Sequence, residues 1–316
     1  MKLQFPALKD VEWARQRIKP YINQTPVLTS RSINQITGSE LFFKCENFQK
    51  VGAFKFRGAT NAVFSLSDAE AARGVATHSS GNHAAALALA AQLRGIKSYI
   101  VMPDSSSNIK KLAVKGYGAE VTYCKSTLAS REETLQQVVE KTDAVFIHPF
   151  NDVRVISGQG TASLELLEVV DDLDYIIAPV GGGGMICGTA TVIHEKKPQT
   201  KVIAAEPENA DDAYRSFKTG TLHPSVNPNT IADGLLTSLS PLTFGIIREK
   251  VHDIITASED QIVEAMRMVW ERMKIIIEPS SAVALAIVLG NRERFKNKRL
   301  GIMLTGGNVD LDHLPF

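Results

Sequence analysis

Residues 175–185, Tyr175-Ile176-Ile177-Ala178-Pro179-Val180-Gly181-Gly182-Gly183-Gly184-Met185, decide the fold. The apolar run reads as a buried strand that enters four glycines directly, with helical spacing resuming behind them. Backbone N–H groups at a glycine-rich helix start are a ready anion site, and glycine lets the main chain approach a phosphate closely. The order is not Gly-x-Gly-x-x-Gly, and no Gly-Lys-Ser/Thr follows, so a monophosphate suits it better than a dinucleotide or a triphosphate. The plain alternative is a flexible strand–helix turn, although four consecutive glycines are costly to order.

Working outward, the strand sits in an alternating α/β series. A helix is expected at 157–169, a helix at 186–195 and a strand at 201–205, then helices at 259–273 and 281–289 and a strand at 300–304. An earlier series has strands at 74–77, 97–102, 120–123 and 144–147, with helices at 82–93, 108–115 and 130–141 between them, and reads as one small parallel lobe. Ahead of it lie an amphipathic helix at 11–22, a turn at Thr25-Pro26-Val27-Leu28, a short strand at 41–45 and helical spacing at 58–66. Residues 222–242 are the least regular and read as a loop at a site or an interface.

At 316 residues the chain can bury a substantial core in one large domain or two linked ones. A net charge of +1 argues against a nucleic-acid partner. The odd, scattered cysteines Cys45, Cys124 and Cys187 form neither a disulfide framework nor a metal pattern. No apolar run reaches the ~18 residues of a membrane span, and the N-terminus lacks the apolar segment of a secretory signal. A cytoplasmic enzyme with no membrane contact is the expectation.

Four further segments carry chemistry. Lys55 lies between Phe54 and Phe56, where desolvation lowers an amine's pKa and frees it for covalent work, although most lysines lie along the surface. His78-Ser79-Ser80-Gly81-Asn82-His83 joins a strand to a helix, the place where open α/β sheets bind ligands, and also reads as an ordinary helix cap. Thr305-Gly306-Gly307-Asn308 puts a hydroxyl at a strand's carboxyl end, or is simply a turn. Glu206, Asp211 and Asp212 offer oxygen ligands at a spacing that suits Mg²⁺ or Ca²⁺, or form a solvated acidic turn. Asp152 and Asp233 read as structural.

Assembled in this order, these segments resemble the fold-type II pyridoxal-phosphate (PLP) enzymes, and within them the serine racemase and serine/threonine dehydratase branch, from Thr25 to Asp310. The resemblance implies an α/β fold of the tryptophan synthase β-like kind with two lobes, each a mostly parallel sheet flanked by helices. Residues 1–73 plus 151–316 would form the large PLP-binding domain and 74–150 a small mobile domain. Lys55 would carry PLP and act as base at Cα, and Phe54 would back the cofactor. Asn82 would bond the ring hydroxyl, Gly181, Gly182, Gly183, Gly184 and Met185 would cradle the phosphate, and Thr305 would meet the pyridine nitrogen. A hydroxyl there, in place of a carboxylate, favours elimination over transamination. Ser79, Asn82 and His83 would hold the substrate α-carboxylate, and Ser80 would contact the substrate beside them. Ser80 would also serve as acid and base on the face opposite Lys55, as in the racemases, where simple dehydratases usually carry alanine. His78 and Arg131 match positions near the substrate side chain, and an arginine there would suit a second carboxylate. Glu206, the Ala210 carbonyl and Asp212 would bind Mg²⁺, or Ca²⁺ or Mn²⁺ in its place, and the chain would form a homodimer. Two departures, Ala84-Ala85 after His83 and Glu278-Pro279-Ser280-Ser281, bear on substrate preference and leave the PLP contacts untouched.

The resulting expectation is conversion of L-serine to D-serine, of serine to pyruvate and ammonia, and of threonine to 2-oxobutanoate and ammonia. The rivals are a threo-3-hydroxyaspartate dehydratase, a β-replacement enzyme, and a PLP-carrying or amino-acid-sensing protein without turnover.

Overall fold

The computed structural model describes residues 4–79, 81–106 and 108–316. Among these the strands are, in chain order, β1 (Val27–Leu28), β2 (Glu40–Cys45), β3 (Val75–His78), β4 (Ser98–Pro103), β5 (Glu120–Cys124), β6 (Val145–Phe146), β7 (Tyr175–Pro179), β8 (Lys201–Pro207), β9 (Asp253–Ala257) and β10 (Arg299–Leu304). They form a six-stranded sheet of order β1-β2-β10-β7-β8-β9 and a four-stranded sheet of order β5-β4-β3-β6. All pairs are parallel except β1 with β2, as α/β alternation requires.

The decisive strand is β7, central in the larger sheet between β10 and β8, with Ile176, Ile177, Ala178 and Val180 buried. Val180 donates its N–H to the Ala205 carbonyl, and helix Gly184–Lys196 starts immediately after the turn. Both faces of this sheet are covered. One packs on helix Pro279–Gly290, the other on helices Val153–Val169 and Gly184–Lys196. Strand β9 was not expected from the sequence, nor were the helices at Arg31–Thr37, Asp68–Ala72, Asp212–Thr219, Pro241–Lys250 and Arg292–Phe295. The expected turn at 25–28 carries the two-residue strand β1 on the sheet edge.

Helix Lys55–Phe64 ties the two sheets together. Phe56, Ala59, Ala62 and Val63 share a buried cluster with Leu87, Ile100 and Val155 around the smaller sheet. Against helix Val153–Val169 it comes so close that a Cβ on Gly158 would lie 2.6 Å from Gly58 Cα, so only glycine fits that crossing.

Its other anchor is ionic. The fully buried Arg57 guanidinium donates to both Glu46 oxygens at 2.6 and 2.8 Å and to both Glu165 oxygens at 2.7 Å. Lys44 adds a 2.6 Å bond to Glu165 and a 2.7 Å bond to the Thr25 carbonyl. Two cations and two carboxylates thus balance out of water. Such a set fixes geometry more than it adds net stability, and loss of one member strands the rest. It pins the helix that begins with Lys55 to β2 and to helix Val153–Val169.

Candidate active site

Lys55 opens its helix directly beside the carboxyl end of β10. The segment before it pairs with the segment after that strand: Phe54 donates its N–H to the Thr305 carbonyl at 2.9 Å, and Gly307 donates to Gly52 at 2.9 Å. Lys55 Nζ donates to the Pro149 carbonyl at 3.1 Å and lies 5.1 Å from the centre of the Phe54 ring. Burial, opposed in part by the nearby Glu278 carboxylate, lowers the amine to about 8.

Pro149 leads to the glycine turn through Phe150, whose ring roofs it. A Cβ on Gly182 would sit 2.2 Å from that ring, and Gly183 has φ +94°, so both positions require glycine. The N–H groups of Gly181, Gly182, Gly183, Gly184 and Met185 meet no acceptor among the described residues. They stand at the start of a 13-residue helix, which adds its dipole to them. A monophosphate fits this donor set.

Asn82 begins helix Asn82–Arg94 at the carboxyl end of β3. Its Nδ2 donates to both Glu278 oxygens at 3.0 and 3.1 Å, and its Oδ1 accepts from Asn308 Nδ2 at 2.9 Å. The N–H groups of Asn82 and His83 have no acceptor among the described residues, so this helix start can also receive an anion. The His83 ring is buried and bonded through Nε2 to the Ile147 carbonyl at 3.3 Å, which leaves Nδ1 as a lone pair without a partner among the described residues. Only its backbone N–H remains available to a carboxylate. Ser79 Oγ accepts from Gly81 N at 3.3 Å. Ser80, expected to act opposite Lys55, lies outside the described residues.

The Thr305 hydroxyl is buried, 3.1 Å from the Ser281 hydroxyl. Opposite a ring nitrogen this pair presents hydroxyls and no carboxylate. His78 ends β3 with its imidazole lowered to about 4 by burial and by Arg131. Arg131, in helix Leu128–Thr142, has a buried Nε with no partner among the described residues.

The expectation that Glu278-Pro279-Ser280-Ser281 leaves the cofactor contacts untouched is corrected, because Glu278 bonds Asn82 and Ser281 bonds Thr305, and a second residue, His148, carried no expectation at all. Glu278 is buried, its carboxyl pushed up to about 7 by burial and then by Asp233, and it holds Asn82. Gly306 makes room for that carboxyl, since a Cβ there would lie 2.6 Å from Glu278 Oε1 and the glutamate would have to shift. The signal was a glutamate directly before Pro279 at a helix start, with no hint of a partner 196 positions away. His148 lies just beyond β6, and its ring centre is 6.4 Å from that of His78. Asp152, by contrast, is structural as expected and caps helix Val153–Val169.

The acidic segment is not a solvated turn. Glu206 lies within β8 and Asp212 starts helix Asp212–Thr219, and each is 1% exposed. Glu206 accepts from the N–H groups of Ala213 and Tyr214 at 2.9 and 2.7 Å. Burial and Asp212 push its carboxyl well up, and burial pushes Asp212 to about 6. Asp212 Oδ2 is buried with no partner among the described residues, and the Ala210 carbonyl accepts no hydrogen bond there. A divalent cation would satisfy these two oxygens beside the Glu206 carboxylate, although no cluster of three or more His, Cys, Asp or Glu side chains occurs among the described residues.

A cavity of about 630 Å³ opens among Asn82, Ala85, Lys110, Tyr117 and Asn308, and touches neither Lys55 nor the glycine turn. No helix among the described residues is long and apolar enough to cross a membrane.

Comparison with known proteins agrees with this geometry. The family described as pyridoxal-phosphate-dependent enzyme matches residues 18–306, and the chain belongs to it. A β-hydroxyaspartate dehydratase of Paracoccus denitrificans is 55% identical over 311 residues, covering 98% of this chain and 99% of that one. The crystal structure of serine racemase from Dictyostelium discoideum superposes with a TM-score of 0.93 at 52% identity, covering 97% of this chain and 99% of that one. A threonine deaminase from T.th. gives a TM-score of 0.93 at 42% identity, with 97% and 99% covered. The fold is therefore that of fold-type II PLP enzymes, as expected, and the protein is a PLP enzyme of the racemase and ammonia-lyase kind.

Proposed function

We propose that this chain racemises L-serine and dehydrates serine and threonine, with Lys55 as the cofactor lysine. The observation that carries the reading is the convergence of a lysine lowered to about 8, five unpartnered N–H groups at the glycine turn and a hydroxyl pair at Thr305. PLP, when bound, supplies an electron sink for the negative charge left at Cα. The glycine turn would hold its phosphate, Asn82 its ring hydroxyl and Thr305 its ring nitrogen.

The chain's own groups do the rest. The neutral Lys55 amine removes the Cα proton, and the Pro149 carbonyl orients that amine by accepting one of its hydrogens. The N–H groups of Asn82 and His83, with Ser79, bind the α-carboxylate and fix the Cα–H bond toward Lys55. Ser80 delivers a proton from the opposite face, which racemisation requires. Replacing Lys55 with alanine tests the assignment: keto acid and D-serine should both vanish, and persistence of either refutes it.

A second reading, dehydration of threo-3-hydroxyaspartate to oxaloacetate and ammonia, is favoured by the unpartnered Arg131 Nε and by the 55% identity to a dehydratase of that kind. Replacing Arg131 with methionine should raise KM for that substrate far more than for serine.

Mg²⁺, or Ca²⁺ or Mn²⁺, bound by Glu206, the Ala210 carbonyl and Asp212 belongs to the same proposal, as do a homodimer and a cytoplasmic location. So does a small mobile lobe at 74–150 against a large one from 1–73 plus 151–316. Helix Lys55–Phe64 would then serve as the bridge between them, since it packs on the cores of both.

A further inference from the structure

His148 stands next to the segment that meets Lys55 and the glycine turn. Its ring meets Phe150, the roof of the glycine turn, edge-on at 4.5 Å, and the next residue, Pro149, accepts from Lys55 Nζ at 3.1 Å. On its other side stands His78, at 6.4 Å, which in turn faces Arg131. His148 therefore stands beside the segment that bonds Lys55 and roofs the glycine turn, and neighbours His78, the residue that Arg131 acts on.

Its tautomer is fixed by the backbone. Nδ1 accepts from Phe150 N at 3.2 Å and from Asn151 N at 2.9 Å, so it carries the lone pair and the proton resides on Nε2. A second proton on the ring would strand both N–H groups. Burial, with His78 and Lys55 nearby, also lowers this imidazole to about 4. Nε2–H has no acceptor among the described residues and is not one of their buried unpartnered atoms, so solvent reaches it. The ring thus offers one oriented, neutral donor that the fold itself does not use.

We propose that His148 is a specificity-determining residue whose Nε2–H donates to the β-carboxylate of a dicarboxylic amino acid, beside the Arg131 guanidinium. The inference rests on the reading of the cleft as an amino-acid site and deepens its second form. Arg131 would supply charge, and His148 direction. Serine, with a single β-oxygen, would lose less without His148 than hydroxyaspartate would.

Two substitutions separate this role from the holding of a turn. In His148→Asn the side-chain oxygen takes the place of Nδ1 and keeps both N–H acceptor bonds, but nothing reaches the Nε2 position. In His148→Gln the amide reaches that position, while the turn loses its acceptor. The PLP-loaded proteins are titrated with malonate, a simple dicarboxylate, and with glycine, which has no side chain, and KM and kcat are measured for L-threo-3-hydroxyaspartate.

His148→Asn should weaken malonate binding and raise KM by about tenfold, the worth of a hydrogen bond to a charged group, with glycine affinity and kcat nearly unchanged. His148→Gln should regain most of the malonate affinity despite a lower melting temperature. Unchanged malonate binding in His148→Asn overturns the proposal, as does an equal weakening of malonate and glycine. Malonate and glycine binding need no turnover, so a wild-type protein that makes neither keto acid nor D-serine refutes the proposed function and leaves this test able to decide.

Discussion

The lowered Lys55 amine gives the most quantitative prediction. Lysine ordinarily titrates at 10.5, and burial brings Lys55 to about 8. At pH 7.5 an ordinary lysine is about 0.1% neutral, whereas one at 8 is about 24% neutral, a gain of roughly 240-fold in free amine. Competitive acetylation of the cofactor-free protein across pH 6–11, read peptide by peptide by mass spectrometry, gives the midpoint directly. Reactivity should rise with pH and level off with a midpoint near 8. The Glu278 carboxylate works against burial by favouring the charged amine, so Glu278→Gln should move the midpoint lower still. A midpoint at 10.5 in the wild type, or an upward move in Glu278→Gln, would refute the reasoning.

Three further predictions concern other parts of the molecule. Gly182→Ala places a Cβ 2.2 Å from the Phe150 ring, so it should cost about 1–3 kcal/mol in urea unfolding and weaken PLP binding; full stability with normal PLP affinity would show the turn can yield. Glu206 and Asp212 have raised folded-state pKa values, so their contribution is present at low pH and is lost as pH rises from about 4 through about 6, when Asp212 ionises. In chelator the melting temperature should therefore fall over that window, Mg²⁺ should restore it above pH 6, and Asp212→Asn should remove the Mg²⁺ response and lessen the fall, leaving the share that buried Glu206 contributes; a Mg²⁺ response that survives in Asp212→Asn dismisses the site. Ser80→Ala should abolish D-serine formation and spare pyruvate formation from L-serine, and equal loss of both would leave Ser80 without a proton-transfer role.

The sequence made the scaffold of the site legible wherever local signals suffice. Continuous apolar runs mark β7 and β10, and the glycines and the threonine directly after them mark the ligand side of the sheet. Strand β9 escaped because Asp253-Ile254-Ile255-Thr256-Ala257 is short and weakly patterned, and its pairing with β8 is what makes it a strand. Glu206 was assigned to a turn because β8 runs two residues past Ala205, and a buried glutamate in a strand has no local signature. The contact of Glu278 with Asn82 and the whole of His148 were hidden for a different reason. Each stands beside residues brought close only by the fold, Glu278 beside Asn82 across 196 positions and His148 beside His78, from another strand of the smaller sheet. Ordinary residues in polar positions become functional there through geometry, which periodicity and composition do not encode.

The central claim is two-faced proton transfer at Cα coupled to β-elimination. The measurement that tests it most directly is a product assay on the PLP-loaded protein with Mg²⁺, offering L-serine, L-threonine and L-threo-3-hydroxyaspartate separately and scoring keto acid and D-amino acid together. The account predicts D-serine and pyruvate from L-serine, and 2-oxobutanoate from threonine. Oxaloacetate from hydroxyaspartate, with no D-serine from L-serine, would contradict the racemase claim and leave a dehydratase.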